Sequence, residues 1–305
     1  MRYHYYTADV FTDRPFGGNQ LAVFPDARGL SAPQMQRIAA EFNFSESTFV
    51  FPPQQARHTR QVRIFTPATE MPFAGHPTVG TAHVLASIGE IALTGETTHI
   101  VLEEGVGPVP VSIRAREGKP VFAQLTAAKL PEFGSSTPAP EVFARALSLS
   151  VDDLLYTEAD FPQAISCGMP FWFVPLRSID AVRRARPNRD AWEMDIKPLW
   201  AHEIFLFTHE VERAGSDLHA RMFAPLLGIG EDPATGSACT ALAGYLGTRN
   251  AAREGTLRWR VEQGFEINRH SILEVEADKA DGRITAIRVG GASVMMCEGT
   301  LDTGE

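Results

Sequence analysis

Cysteine is scarce in this sequence of 305 residues. Its three cysteines, Cys167, Cys239 and Cys297, are widely spaced, odd in number and free of any C-x-x-C pair. This pattern argues against both a disulfide framework and a thiolate metal site. We therefore expect no bound metal and a cytoplasmic location, where thiols stay reduced.

Several motifs that would indicate a cofactor or another enzyme class are also missing. The chain has no G-x-x-x-x-G-K phosphate loop, no H-E-x-x-H zinc motif and no G-x-S-x-G nucleophile elbow. No apolar run approaches the length that spans a bilayer, and the first ten residues alternate like a strand rather than a signal peptide. We expect an enzyme that uses no cofactor and has no membrane partner.

Basic residues are outnumbered, with 28 Lys and Arg against 37 Asp and Glu and a net charge of −9. Nucleic-acid binding requires clustered basic side chains that displace counterions from phosphates. The one basic cluster, Arg183, Arg184, Arg186 and Arg189, lies in a Pro- and Asp-containing segment without stacking aromatics. It is typical of a solvated loop or helix end, so we expect no nucleic-acid partner.

The remaining composition is that of a globular protein, 44% hydrophobic and long enough for two domains. Short runs rich in Val, Ile, Thr and aromatics, bounded by Gly, Pro or Asn, predict many strands. Helices are predicted only after Ser31, over 77–87 and over 238–246. Many strands with few helices, and no regular βαβ alternation, indicate an α+β fold. The domain transition is predicted just before or within the Pro-rich stretch 130–140.

An internal repeat is the most informative feature of the chain. Residues 63–82 and 221–243 each contain Arg-x-Phe-x-Pro on a predicted strand. A short acidic loop, then Pro-x-x-Gly and a helix of small residues follow in both segments. The matched spacing predicts two lobes of common architecture.

The repeat places a glycine at the start of each helix, Gly75 and Gly236. First-turn N–H groups lack intrahelical partners and carry the positive end of the helix dipole, so they bind carboxylates or phosphates. The alternative is that each glycine permits a tight turn and that the following His76 and Ser237 cap the helix. Because the arrangement occurs twice, we predict that these four residues bind an anionic substrate.

Several stretches of the chain resemble the PhzF-like family, the phenazine biosynthesis protein group that is related in fold to diaminopimelate epimerase. They are D-V-F-T-D-R-P-F-G-G-N at 9–19, S-E-S-T-F-V at 45–50, the segment 63–82, E-D-P-A-T-G-S-A at 231–238, V-E-Q-G-F at 261–265 and V-G-G at 289–291. The resemblance spans nearly the whole chain. It implies two lobes, each a barrel-like, mostly antiparallel sheet around a central helix, with the active site in the cleft between them.

The resemblance and the linker together predict where the lobes lie. We expect the first lobe at 1–125, the second at 126–292 and a C-terminal strand, 293–305, that returns to the first lobe. We also expect a homodimer.

The resemblance also implies the chemistry. The phenazine enzyme shifts a proton along an unsaturated cyclic amino acid and requires no cofactor or metal. Matched to its pattern, Glu46 is the catalytic acid–base group, and His76, Asp232 and Ser237 are the supporting catalytic residues. Asn19, which ends the first matching stretch, is expected to contact the substrate. No cysteine precedes His76, which disfavours a racemase that uses two thiols.

The predicted roles have simpler alternatives. Glu46 opens an apolar strand, where burial would disfavour its charged form; a lone glutamate there could also be structural. The helix start should favour a neutral His76 ring. Asp232 precedes Pro233 and fits a turn residue as well.

We therefore predict a cofactor-independent isomerase that shifts a proton on a small anionic metabolite, amino-acid-like or cyclic. Two alternatives remain. One is an epimerase, racemase or lyase on the same scaffold. The other is a non-catalytic metabolite-binding or protein-interaction member of the family, which the presence of all four catalytic residues disfavours.

Overall fold

The computed structural model describes residues 1–304, which form two compact units. Unit 1 consists of Met1–Ala128 and the segment that begins at Val289, and unit 2 consists of Lys129–Arg288. Unit 1 therefore takes in the end of one long strand as well as the C-terminal strand. No helix of the described residues is long and apolar enough to cross a membrane.

Unit 1 contains nine strands and two helices. The strands are β1 (Arg2–Val10), β2 (Asn19–Phe24), β3 (Glu46–Phe51), β4 (Arg60–Phe65), β5 (Glu70–Met71), β6 (Thr97–Glu104), β7 (Gly107–Arg116), β8 (Lys119–Thr126) and β18 (Ser293–Asp302). The helices are α1 (Ala32–Phe42) and α2 (Gly75–Ser87).

The sheet of unit 1 is mostly antiparallel, with two parallel pairs. β1 pairs antiparallel with β18 and β2, and β3 with β4. β2 with β3 and β4 with β6 are the parallel pairs. The meander β6–β7–β8 completes the sheet. The parallel pairing of β2 with β3 places the start of β3 beside the start of β2, which matters for the candidate site.

Helix α2 is enclosed by this sheet. Every residue from Gly75 to Ala86 is buried, and the helix contacts strands β1, β2, β3, β7, β8 and β18. A helix that is apolar on all sides is typical of a buried core element. Gly80 permits the closest approach, because a Cβ there would lie 2.5 Å from Val10 Cγ2 and 2.6 Å from Leu21 Cδ2.

Helix α1 lies on the other side of β2 and β3 and is amphipathic. The predicted start at Ser31 is confirmed, with the Gln34 side chain accepting from the Ser31 backbone N–H at 2.8 Å. Its buried face contributes Met35, Ile38 and Ala39 to a cluster with the aromatic rings of the sheet.

Unit 2 contains nine strands and four α-helices. The strands are β9 (Glu132–Phe133), β10 (Gln163–Ser166), β11 (Pro170–Pro175), β12 (Glu203–Thr208), β13 (Leu218–Ala224), β14 (Ile229–Asp232), β15 (Gly255–Gln263), β16 (Ser271–Ala280) and β17 (Arg283–Gly291), whose last three residues belong to unit 1. The helices are α3 (Pro140–Leu147), α4 (Ile179–Arg184), α5 (Arg189–Ala191) and α6 (Gly236–Arg249).

The strand pairing of unit 2 repeats that of unit 1. β11 and β12 are parallel, β12 and β13 antiparallel, β13 and β15 parallel, and β15 and β16 antiparallel. Helix α6 is buried from Ala238 to Gly247 and contacts β10, β11 and β16. The predicted α+β class with two lobes of common architecture is confirmed.

Two details of the predicted linker differ from the sequence-based expectation. The predicted linker contains the two-residue strand β9, which pairs with β10 through Ile165 and Phe133. It ends where α3 begins at Pro140, a proline that sits well in the first helical turn. The basic cluster includes the last turn of α4, as expected for a solvated helix end, and there Arg183 and Arg184 form ion pairs with nearby carboxylates.

The tight fit of α2 gives a stability prediction. In Gly80→Ala, alanine gains about 1 kcal/mol of helix propensity, but overpacking typically costs about 1–3 kcal/mol. We expect a net loss on the order of 1 kcal/mol in the free energy of unfolding, measured by urea denaturation. Ser87→Ala at the exposed end of the same helix is the control and should change it by less than about 0.5 kcal/mol. A stabilised Gly80→Ala variant would contradict the close packing.

Candidate active site

Two of the predicted catalytic residues lie together in unit 1. Glu46 is the first residue of β3, and His76 is the second residue of α2. Their nearest polar atoms, Glu46 Oε2 and His76 Nδ1, are 3.5 Å apart. The side chain of Glu46 is 15% exposed and that of His76 is 4% exposed. A carboxylate and an imidazole thus meet at the buried start of the central helix.

Neighbouring backbone and side chains position this pair. Because β2 and β3 are parallel, Leu21 and Glu46 are in register, and the start of β2 lies beside the start of β3. Asn19 is buried, and its Oδ1 accepts a hydrogen bond from Ser45 Oγ at 3.2 Å, next to Glu46. The turn into Asn19 requires glycine, since Gly18 has φ +63° and a Cβ would lie 2.3 Å from Val10 O.

The imidazole of His76 is neutral at physiological pH. Burial lowers its pKa to about 3, while a hydrogen bond with the backbone of Gln20 acts in the opposite direction. The direction is the one expected from the helix start, but the main cause is desolvation rather than the helix field. Within residues 1–304, Nε2 is buried and has no hydrogen-bond partner, so it is the polar atom of the ring that a ligand could engage.

The first turn of α2 is not capped by a side chain. The N-cap residue is Ala74, in an extended conformation, and it offers no capping group. The alternative that His76 caps this helix is therefore wrong. The backbone of Thr78 donates to Ala74 O at 3.3 Å, and Pro77 has no N–H to donate. Gly75 and His76 are the other first-turn residues of this helix, and N–H groups at their positions have no intrahelical acceptor.

In unit 2, Asp232 and Ser237 flank the start of α6. Asp232 is buried at the end of β14, and its Oδ2 accepts a hydrogen bond of 2.6 Å from Thr235 Oγ1. It is therefore a strand residue held by its neighbours and not an exposed turn residue. Thr235 is the N-cap residue, so Ser237 lies at the second position of the helix, after Gly236, and is not its cap.

The acidic residues that mirror each other in the repeat, Glu70 and Glu231, have a clear structural role. Glu70 accepts two hydrogen bonds from Arg63, at 2.7 and 2.6 Å. Glu231 accepts two from Arg221, at 2.9 and 2.6 Å. Each arginine is that of the Arg-x-Phe-x-Pro motif, so the repeat conserves a bidentate ion pair across the loop before each central helix.

A carboxyl group that sequence reasoning missed is Glu203, the first residue of β12. Each of Glu203 and Glu46 directly precedes the residue that pairs with the phenylalanine of the repeat, Phe223 in unit 2 and Phe65 in unit 1. Glu203 thus occupies in unit 2 the place of Glu46. It is 4% exposed, and burial raises its pKa. The sequence signal that could have identified Glu203 is a glutamate at the start of an apolar strand, the same signal as for Glu46.

The buried cysteines are thiols rather than thiolates. Cys239 is the fourth residue of α6, and burial raises its pKa. Burial also raises the pKa of Cys167 to about 12. Neither thiol would supply a thiolate base at neutral pH. Within residues 1–304, no three side chains among His, Cys, Asp and Glu are grouped so that they could hold a metal ion.

Comparison with known proteins agrees with the fold. The crystal structure of a PhzF-family phenazine biosynthesis protein from Bacillus anthracis superposes with a TM-score of 0.88 at 27% identity, covering 99% of each chain. An uncharacterized isomerase from Mesorhizobium japonicum is 38% identical over 98% of each chain. The trans-2,3-dihydro-3-hydroxyanthranilate isomerase of Pseudomonas aeruginosa is 36% identical over 97% of this chain and 98% of its own.

The repeated units and the likeness to these proteins define an isomerase built on the PhzF-type scaffold. The model of the phenazine biosynthesis-like protein family matches residues 8–299, nearly the whole chain. The chain belongs to this family.

Buried histidines on α2 predict a loss of stability in acid. His83 is 5% exposed, and burial lowers its pKa to about 4. A lowered pKa contributes stability that is fully present above the unfolded value near 6.5 and is lost as the pH falls toward 4. His83→Gln should therefore lose less unfolding free energy than the wild type between pH 7 and 4.5, by on the order of 2 kcal/mol.

Urea denaturation of both proteins at the two pH values measures this difference. The comparison isolates His83 because every other titrating group, His76 included, is common to the two proteins. Equal losses in wild type and variant would show that His83 is not held neutral by burial.

Proposed function

We propose that this isomerase shifts a proton on a small metabolite that carries a carboxylate, with Glu46 as the catalytic acid–base group. The observation that carries the proposal is the Glu46–His76 pair at the buried, uncapped start of α2. Glu46 would take a proton from a carbon next to an electron-withdrawing group and return it to another carbon of the same conjugated system. The double bond moves, and no electrons enter or leave the substrate.

The neutral state of His76 supports this role for Glu46. A charged imidazolium 3.5 Å away would stabilise the carboxylate and weaken it as a base. With its pKa at about 3, His76 is uncharged and does not stabilise the carboxylate in this way. The neutral ring can instead hydrogen-bond a polar group of the substrate, in the manner of other neutral catalytic histidines.

The substrate's anionic group would be bound by backbone donors. The uncapped N–H groups of Gly75 and His76 lie at the positive end of the α2 dipole, where a carboxylate is stabilised. The start of α6 offers donors of the same kind at Gly236 and Ser237, and we assign Ser237 to substrate binding and Asp232 to a supporting catalytic role. Asn19, tied to Ser45 beside Glu46, is assigned to the substrate-binding side of the pair.

The substrate class follows from the chemistry of such a site and from the relatives. A base beside anion-binding donors suits an acid whose proton is made labile by conjugation. The Pseudomonas relative is named for an isomerisation of trans-2,3-dihydro-3-hydroxyanthranilate, a cyclic unsaturated amino acid. We propose a cyclic or amino-acid-like carboxylate of this kind.

Proton NMR in D₂O tests the proposal directly. Wild-type protein is incubated with trans-2,3-dihydro-3-hydroxyanthranilate and with a panel of α-amino acids, in the presence and absence of EDTA. We expect deuterium uptake at carbon with movement of a double bond, unaffected by the chelator. Exchange with inversion of a stereocentre would instead identify an epimerase. No exchange with any compound would favour the non-catalytic alternative.

Replacing the proposed base gives the sharpest prediction. Glu46→Gln keeps the side-chain volume and can still hydrogen-bond, but it cannot accept and return a proton. We expect turnover to fall by about 10²- to 10⁴-fold, with substrate affinity and melting temperature close to wild type. Steady-state kinetics, calorimetric binding and thermal denaturation measure the three quantities.

Two comparisons control for indirect effects. Glu90→Gln removes a surface ion pair with Arg60 in the same unit and should leave all three quantities unchanged. His76→Ala and Ser237→Ala should weaken binding as well as turnover, because their proposed roles are in substrate contact. Near-wild-type turnover in Glu46→Gln would remove the proposed base and make Asp232 the next carboxylate to test.

A further inference from the structure

The side chain of Gln263 holds the loop that carries Asp232. Gln263 is the last residue of β15 and is fully buried. Its Oε1 accepts from the Thr235 backbone N–H at 3.1 Å, and its Nε2 donates to Asp232 O at 2.8 Å. Because a backbone N–H can only donate and a backbone C=O can only accept, these two bonds determine which way the amide points.

The amide also determines the direction of a hydrogen-bond chain to the Asp232 carboxylate. Gln263 Nε2 donates a second bond to Thr235 Oγ1 at 3.0 Å. The threonine hydroxyl accepts this bond, so its single hydrogen is free to point to Asp232 Oδ2, 2.6 Å away. Three side chains thus form a one-way chain from Gln263 to Asp232, in a buried setting where such bonds are strong.

The backbone of Gly264, the residue after Gln263, is packed closely against the same loop between Asp232 and α6. Gly264 has φ +78°, and a Cβ there would lie 2.5 Å from Pro233 O and 2.6 Å from Arg269 O. Ser271 Oγ lies within hydrogen-bond distance of the same two carbonyl oxygens, at 2.9 and 2.8 Å. The Gln-Gly turn therefore contacts the loop between Asp232 and the start of α6 through both side chain and backbone.

The equivalent turn of unit 1 lacks this amide. Glu103 and Glu262, at equivalent strand ends, each accept two backbone N–H groups and lie 2.8 Å from a histidine Nδ1. The next residue is Glu104 in unit 1 and Gln263 in unit 2. The Glu104 carboxyl accepts from Thr78 Oγ1 within α2, so it makes no two-donor contact of the Gln263 kind. The hydrogen bonds from Gln263 to Asp232 and Thr235, which we call the clamp, are therefore a feature of unit 2.

We propose that Gln263 is a positioning residue for catalysis, which acts by fixing the Thr235 hydroxyl and the Asp232 carboxylate at the start of α6. The inference rests on the proposed function, in which Asp232 supports the proton shift. It assigns a role to the V-E-Q-G-F stretch of the sequence.

The test uses two variants of the full-length protein. Gln263→Glu keeps volume and the acceptor oxygen but loses both donors. Gln263→Met removes all three hydrogen bonds without leaving a buried charge, which guards against a misfolded first variant. With trans-2,3-dihydro-3-hydroxyanthranilate as the probe, we expect kcat to fall at least tenfold in both, with KM changed less than threefold.

Coupling to Asp232 separates positioning from a general loss of structure. If Gln263 acts through Asp232, the double variant Gln263→Met with Asp232→Asn should be little worse than Asp232→Asn alone. In the single variant Gln263→Met, hydrogen–deuterium exchange at the backbone amides of residues 232–239 should be faster than in the wild type. Ile204→Val, in the apolar cluster of unit 2, is the matched control, which should lower the melting temperature without changing kcat or that local exchange.

Full additivity in the double variant would overturn the inference. So would turnover of both Gln263 variants within twofold of wild type while Asp232→Asn loses activity, and neither result would affect the proposed function. If the wild type itself fails to convert the probe, the proposed function is at fault. Hydrogen–deuterium exchange of the Gln263 variants then tests the clamp without any substrate. Unchanged exchange at residues 232–239 would overturn the inferred clamp, and increased exchange would support it.

Discussion

The constraint on which the rest of the structure depends is the burial of a whole helix within the sheet of each unit. Helix α2 is buried on every side along nearly its full length, and α6 almost as completely. Such a helix tolerates only small or well-fitted side chains, which is why both are rich in Gly, Ala and Thr. Its first turn is buried as well, so the N–H groups there have little water to bind and must be satisfied by the protein or by a ligand.

Burial of the helix starts also sets the charges of the candidate site. Desolvation by burial lowers the pKa of His76, so that Glu46 has a neutral imidazole 3.5 Å away. The same effect raises the pKa of Glu104, next to α2, to about 8. In unit 2 the carboxylate of Asp232 instead accepts a hydrogen bond from the Thr235 hydroxyl, and the Gln263 amide donates to the Asp232 backbone carbonyl.

The two units share one architecture but differ in the polar side chains at their helix starts. Strand pairing, the central helix and the arginine–glutamate pair before it occur in both. The differences are concentrated at the helix starts and the turns that contact them. The residue after the helix-start glycine is His76 in unit 1 and Ser237 in unit 2. The residue at the hairpin turn is Glu104 in unit 1 and Gln263 in unit 2. The scaffold is therefore duplicated while the side chains that define a reaction are not.

The sequence alone determined much of the local structure, because strand, helix and turn patterns depend on neighbours along the chain. The sequence predicted the repeat, the α+β class and the helices that begin near Ser31, Gly75 and Gly236. Glu46 and His76 were named as candidates, but their 3.5 Å separation exists only because α2 packs against β3 in the folded unit.

Tertiary structure alone decided the contacts between distant segments. The short strand β9 and the equivalence of Glu203 to Glu46 arise from pairing across long stretches of chain. The clamp on Asp232 joins residues that are 31 positions apart, and nothing in their local sequence marks them as partners. The cause of the low His76 pKa was likewise hidden, because desolvation depends on everything packed around the ring and not on the helix that carries it.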